Sequence, residues 1–425
     1  MSVKIDVGEL RVGMYVHLDL GWMSHPFALS SFRIGSLEQI ETIRGLGLRE
    51  VRWSPERSDL AVSGRSPAGT VPAESVPALS DEAQAVARRR QALAAQRSAQ
   101  ALAERQYAEA AHALRGLVDR SCAEPEAARG QAEALTRALL DKMLVDEELS
   151  IRTIAHAVGD LATAHAMNVA VVSLLMGRAF GMDEAELMDL GVGAMLHDIG
   201  KLELPDRLRF PDEGMSTVEL GVYREHVAHG VKQGRRMGLS PGALLVIAQH
   251  HEQADGTGFP QRLPVDRLSG PARVVAMVNR YDNLCNPAMP AKAVTPHEAL
   301  SMLFAQGQQK YDSSMLAGFI RMMGVYPPGS LVQLTDDRYA MVMSVNSSRP
   351  LKPRVLVHDP RVPRDEALLL DLEGCADLGV RRSLKPAQVP AAALEYLAPP
   401  RRLTYFFEPV RAAQPPESEG PEAAA

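Results

Sequence analysis

Three cysteines in 425 residues, Cys122, Cys285 and Cys375, are too few and too scattered for a disulfide framework, and none stands in a CxxC spacing. A reducing cytoplasm suits such a chain better than an oxidising compartment. The opening run Met1-Ser2-Val3-Lys4-Ile5-Asp6 lacks the apolar core of a signal peptide. No uninterrupted apolar stretch reaches the roughly 18 residues that a membrane span needs. Positive charge is not in excess either. The net charge of −6 gives no basic face for nucleic-acid polymers. The short runs Arg88-Arg89-Arg90 and Arg401-Arg402 read as solvated surface. What remains is an ordinary globular composition, 46% hydrophobic and 23% charged, long enough for two or three domains.

The pattern along the chain is mainly α. Residues 1–62 read as a small α/β domain. Val3 to Val7 and Tyr15 to Leu20 have strand composition, Ser36 to Arg44 places Leu37, Ile40 and Ile43 at helical spacing, and Gly45 to Val51 reads as a helix stop before a strand. Residues 63–80, rich in Ser, Pro, Gly and Ala, form a linker. Residues 81–145 form a helical arm: Asp81 to Val118 is Ala, Gln, Arg and Glu almost without breakers. It reads as a spacer, a dimerising arm for a homodimer, or a loosely ordered linker. Residues 146–325 are an all-α block whose helix starts are written in capping signatures: Asp183 with Glu186, Ser216 with Glu219, Ser240 with Pro241, and Pro271. Residues 326–397 alternate short β-type runs with turn residues, a small β-rich module, and 398–425 read as a flexible tail that frays after Val410.

Chemistry concentrates in the all-α block. Six of the twelve histidines lie between His165 and His251, and they are ordered: His165, the pair His197-Asp198, His226 with His229, and the pair His250-His251. Imidazole is the commonest protein metal ligand and a carboxylate can bridge two cations. His197-Asp198 falls at a helix end, where Gly200 suits a left-handed exit, and His226 falls inside the helix begun at Ser216. Adjacent histidines on a helix point about 100° apart. His250 and His251 therefore serve two cations, or one ligates while the other holds a substrate oxygen. His112, His156 and His297 read as structural, and His229 leans the same way.

His197-Asp198-Ile199-Gly200-Lys201, with His250-His251-Glu252 and Asp255-Gly256-Thr257-Gly258-Phe259-Pro260, resembles the HD-GYP domain, a branch of the HD hydrolases that cleaves cyclic di-GMP. Leu10-Arg11-Val12-Gly13-Met14-Tyr15-Val16 and Pro26-Phe27 resemble an uncharacterised domain often found ahead of it. The resemblance implies an all-α HD-type domain holding two divalent metal ions, iron or manganese. It implies His165, His197, Asp198, His226, His250 and His251 as metal ligands, with Asp198 bridging. It makes Asp198 and Lys201 catalytic, with Lys201 on the substrate phosphate or the attacking water, and puts Asp255, Gly256 and Gly258 in the substrate loop. The reaction implied is two-metal hydrolysis of cyclic di-GMP to pGpG or GMP.

Several positions depart from that pattern. The last metal ligand, an aspartate in the family, is Asn279 here, in Asn279-Arg280-Tyr281-Asp282-Asn283-Leu284. Asp282, one turn on, could substitute by tilting inward. The arginine and the further grip residues that follow in the family are Ala288, Pro290 and Ala291, with Lys292 the one basic residue left, and the glutamate for a third metal is Leu161. Three readings follow: a weak cyclic di-GMP phosphodiesterase, a degenerate module that binds a ligand or a partner such as a GGDEF-domain protein, and a metal hydrolase for another phosphate ester.

Overall fold

The computed structural model describes residues 2–20, 25, 27, 31–59, 81–143, 149–154, 160–211, 214–307 and 309–409. The linker read at 63–80, Pro26, His156 and the tail from 410 lie outside them. The chain divides into two compact units, residues 1–94 with 138–145, and residues 95–137 with 146–425.

The first unit carries an antiparallel sheet of β1 (Val3–Asp6), β2 (Tyr15–His17), β3 (Ser31–Arg33) and β4 (Glu50–Trp53), in the order β1-β4-β2-β3, beside α1 (Leu37–Gly45). Ser36 caps α1 by accepting from the Gln39 N–H, and Ile40 and Ile43 bury against Val16, Ile34 and Val51. The expected α/β reading holds, with β2 shorter than the Tyr15 to Leu20 run.

Two helices follow, α2 (Asp81–Arg120) and α3 (Pro125–Met143). The second unit continues with β5 (Leu149–Thr153), α4 (Leu161–Ala179), α5 (Glu184–Leu196), α6 (Thr217–Arg224), α7 (His226–Met237), α8 (Pro241–Gln249), α9 (Gly270–Cys285), α10 (Pro296–Gly307) and α11 (Ser313–Met323). The starts read from sequence are real caps. Asp183 and Ser216 each close a capping box, and Ser240 and Ser269 accept from N3 amides ahead of Pro241 and Pro271. Residues 163–177 of α4 are all buried. That helix is long and apolar enough to cross a membrane, yet 78% of its most apolar window is packed inside the protein, where it serves as the central core helix.

Two local expectations are corrected. His226 does not sit within the helix begun at Ser216: that helix ends at Arg224, and His226 opens α7 beyond Glu225. Gly200 makes no left-handed exit. It lies in a 3₁₀ turn, Ile199–Glu203, where a Cβ would stand 1.9 Å from the His226 carbonyl oxygen and 2.3 Å from the Gly230 nitrogen. Glycine is there to let the His197-Asp198 turn touch the backbone of α7.

The β-rich region is not confined to 326–397. Strands β6 (Leu331–Leu334), β7 (Tyr339–Asn346), β8 (Arg354–Val357), β9 (Leu370–Asp371) and β10 (Val380–Leu384), with α12 (Ala391–Leu397), are joined by β11 (Tyr405–Pro409). In the sheet β5 pairs with both β7 and β11, in register Ile151↔Val345 and Ile151↔Phe407. The tail read at 398–425 therefore contributes a strand over 405–409, and the block read from 146 gives its first strand to the same sheet. The sequence cue was present in Tyr405-Phe406-Phe407, three aromatics that bury to 1%, 0% and 6% exposure.

Because the Gly200 Cβ would meet backbone on two sides, Gly200→Ala cannot be absorbed by a side-chain shift. It is expected to cost about 3 kcal/mol or more, measured by urea denaturation. A variant as stable as the parent contradicts this packing.

Candidate metal centre

Helix ends aim the histidines. His197 is the C-cap of α5 and His250 the C-cap of α8. The last carbonyls of a helix have no amide partner, and each ring uses one. Nδ1 of His197 donates to the Ala194 oxygen at 2.8 Å and Nδ1 of His250 to the Ile247 oxygen at 2.8 Å. His226 repeats the device on the Tyr223 oxygen at 2.6 Å, and His165, on α4, donates to the Asp282 carboxylate at 2.6 Å. An acceptor opposite Nδ1 fixes the proton there and leaves Nε2 as the ligating atom.

The four Nε2 atoms converge on one carboxylate. His165 and His197 stand 3.7 and 3.4 Å from Asp198 Oδ2, and His226 and His250 stand 3.6 and 3.7 Å from Asp198 Oδ1. Within each pair the Nε2 atoms are 3.2 and 3.3 Å apart. Neither ring has an Nε2 proton to share, so these are not hydrogen bonds. At a metal–nitrogen bond of about 2.1 Å, neighbouring ligand atoms lie about 3.0–3.4 Å apart. Two ligand groups result, His165-His197-Asp198 and Asp198-His226-His250-His251, with Asp198 common to both. Among the described residues, Asp198 Oδ1 and His251 Nε2 are buried without a hydrogen-bond partner, a cost that a cation would relieve.

The electrostatics agree with a cation site. Burial alone would raise the Asp198 carboxyl, but Lys201 and His197 outweigh it and hold the group well below the carboxylate range. Burial depresses the His226 imidazole to about 3 and pulls His197 and His251 down as well. Bare imidazoles around an ionised carboxylate are a donor set for divalent metals. Lys201 Nζ closes the near side at 2.6 Å from Asp198 Oδ2; burial opposes its charge and Asp198 restores it.

Residues 148–315 match the HD domain family, and residues 2–132 match a domain of unknown function, DUF3391. The chain carries an HD domain. It is 27% identical, over 84% of its length and 85% of the relative's, to a cyclic di-GMP phosphodiesterase of Pseudomonas aeruginosa. It is 23% identical, over 45% of its length and 50% of the relative's, to a cyclic di-GMP phosphodiesterase of Borreliella burgdorferi. A solved HDGYP protein of Bdellovibrio bacteriovorus aligns with 75% of this chain and 98% of its own at 15% identity, with a TM-score of 0.41. The expected HD-type domain is matched, and the fold is mainly α.

Within the HD domain, His165, His197, Asp198, His226, His250 and His251 are brought together in the two groups. The expected divergence of His250 and His251 does not occur. His250 and His251 lie just past the end of α8 at Gln249, and their rings are 4.2 Å apart within one ligand group. Asn279, 3% exposed, lines the same cavity, but its Oδ1 accepts from Asn283 Nδ2 at 2.6 Å. Asp282 does not tilt into the ligand shell. It stands behind His165. The cavity, of 1050 Å³, is lined by Lys201 and Gly258 as well as by His165, Asp198, His250 and His251. A Cβ on Gly258 would fall 2.5 Å from the Gln253 nitrogen, so glycine there lets the loop fold against the His251-Glu252 backbone. Asp255 and Gly256 shape that loop instead: Asp255 accepts from the Thr257 N–H at 2.9 Å and Gly256 takes a φ of 74°.

Three residues were given no role in the sequence reading, although Glu252 and Phe259 stand in its motifs. Tyr223, whose hydroxyl is pushed up to about 12 by burial, has the Lys201 ammonium 5.5 Å from its ring centroid and packs 4.8 Å from the His226 ring. Phe259 stacks on His251 at 4.4 Å. Glu252, 1% exposed, accepts from the N–H groups of Gln261, Arg262 and Leu263 at 2.7, 3.1 and 3.0 Å, pinning the loop that carries Phe259. Only the glutamate's place beside His251 could have flagged it. Glu252→Ala strands three donors and is expected to cost about 2–4 kcal/mol in urea denaturation; a loss below about 0.5 kcal/mol contradicts the pinning role.

Proposed function

We propose that the chain is a metal-dependent phosphodiesterase that hydrolyses cyclic di-GMP to pGpG or GMP, weakly, with two divalent cations, iron or manganese, astride Asp198. The observation that carries this reading is the paired convergence of Nε2 atoms on the two oxygens of one half-buried carboxylate. When bound, cations of this kind lower the pKa of a water and polarise phosphoryl oxygens.

The chain's own residues do the rest. Lys201 presents its ammonium to the cavity from beside Asp198 and neutralises a phosphodiester oxygen there. Arg224, Arg280 and Lys310 also line the cavity and provide positive charge in place of the grip residues lost at Ala288, Pro290 and Ala291. Leu114, Val118, Met195 and Met302 give it apolar walls against which bases can pack. The relatives named cyclic di-GMP phosphodiesterases supply the choice of substrate. A reducing cytoplasm suits the three free cysteines.

A second reading, a binding module that contacts a GGDEF-domain protein or a second copy through its helical arm, is favoured by one observation. The Asn279 side chain already spends its oxygen on Asn283 and brings no charge to the metals.

Two experiments separate the readings. Manganese- or iron-loaded protein is expected to linearise cyclic di-GMP, read by chromatography, and Asp198→Ala to abolish the product. Absence of product from a protein with both metals bound would contradict the proposed reaction. Asn279→Asp restores a charged ligand and is expected to raise turnover about 10-fold or more. An unchanged rate would locate the weakness in substrate grip instead.

A further inference from the structure

The region after Pro399 reaches the metal centre through hydrogen bonds. Asp282, 1% exposed, gives Oδ2 to His165 Nδ1 at 2.6 Å and Oδ1 to two amides, Asn168 Nδ2 at 2.7 Å and Asn286 Nδ2 at 2.9 Å. Both amides are in turn fastened to the backbone that leads into β11. Asn168 donates to the Leu403 oxygen at 2.8 Å and accepts from the Tyr405 N–H at 2.9 Å. Asn286 donates to the same Leu403 oxygen at 2.9 Å and accepts from the Leu403 N–H at 2.8 Å. Tyr405 then meets Tyr281, beside Asp282 on α9, hydroxyl to hydroxyl at 3.2 Å. The other three ligand histidines with an Nδ1 bond use carbonyls three residues back, His197 and His250 at the ends of their own helices and His226 on Tyr223 of the helix before it.

We infer that the strand entry at 403–405, acting through Asn168 and Asn286, positions Asp282 and thereby His165, so that the C-terminal sheet governs one of the two ligand groups and leaves the other alone. Asn168 and Asn286 are positioning residues in this account. The physical basis is that a carboxylate behind a metal-binding histidine sets both ring orientation and tautomer, and its loss lowers metal affinity about 10–100-fold. An amide that donates to the strand backbone and to that carboxylate from one nitrogen ties the two rigidly together. The inference rests on the metal reading for its consequence, but the positioning itself can be read without metal.

The test uses the full chain with Asn168→Asp, which keeps size and the acceptor for Tyr405 but turns the donor facing Asp282 into a second carboxylate. Asn286→Ala, at a partly exposed position, decides the matter if Asn168→Asp does not fold. Two readouts apply. Manganese titration is expected to show one site weakened about 10–100-fold, with the His226-His250-His251 site unchanged within about twofold. Imidazole ¹⁵N spectra of the metal-free protein are expected to show His165 with its proton fixed on Nδ1 in the parent and mixed in the variants. Equal weakening of both metal sites, or unaltered metal affinities, overturns the inference. So does an unaltered His165 spectrum. A parent that binds no metal would sink the proposed centre while the spectra still judge the positioning.

Discussion

Everything in the site depends on one half-buried carboxylate that cannot satisfy itself. Asp198 has one oxygen against Lys201 and the other with no hydrogen-bond partner, in a shell of imidazoles whose nearest nitrogens stand 3.4–3.7 Å away. A buried charge without compensation costs several kcal/mol. Lys201 offsets part of it, and the geometry of the remaining donors is set for cations. The fold makes this arrangement affordable by fixing each ring from behind, so that little rotamer freedom is lost on binding.

Helix termini do most of that fixing. A helix that stops leaves carbonyls unpaired, and a histidine at the stop both caps the carbonyl and points its other nitrogen forward. His197 and His250 follow this rule, and His226 follows it from the start of the next helix. The short turn at Ile199–Glu203, with glycine at position 200 against the α7 backbone, then brings the His197-Asp198 corner to His226. His165 is the exception, held from within α4 by the Asp282 carboxylate, whose amide partners Asn168 and Asn286 also bond the Leu403 carbonyl ahead of β11.

The legible part of the molecule was whatever local chemistry writes down. Capping boxes at Asp183 and Ser216, proline starts at Pro241 and Pro271, and the His-Asp and His-His pairs each carry a short-range signal, and each was found where read. What sequence did not disclose was tertiary. The stop of α8 at Gln249 puts His250 and His251 ahead of a loop that folds on Glu252, a contact between residues nine to eleven positions apart. The strand at Tyr405–Pro409 hid behind a Pro- and Ala-rich tail composition, and its link to Asp282 runs through Asn168, 114 positions from Asp282, and Asn286, 117 positions from Leu403. Gly200 was noticed for the right position and the wrong reason, since a turn glycine and a close-contact glycine look alike in sequence.

The measurement that bears most directly on the central claim is anomalous diffraction from crystals of the full chain grown with manganese. The account predicts two peaks flanking Asp198, one between its Oδ2 and the His165-His197 pair, the other between its Oδ1 and the His226-His250 pair with His251 near. No peak at Asp198, or a single one that leaves either histidine pair unligated, would contradict it.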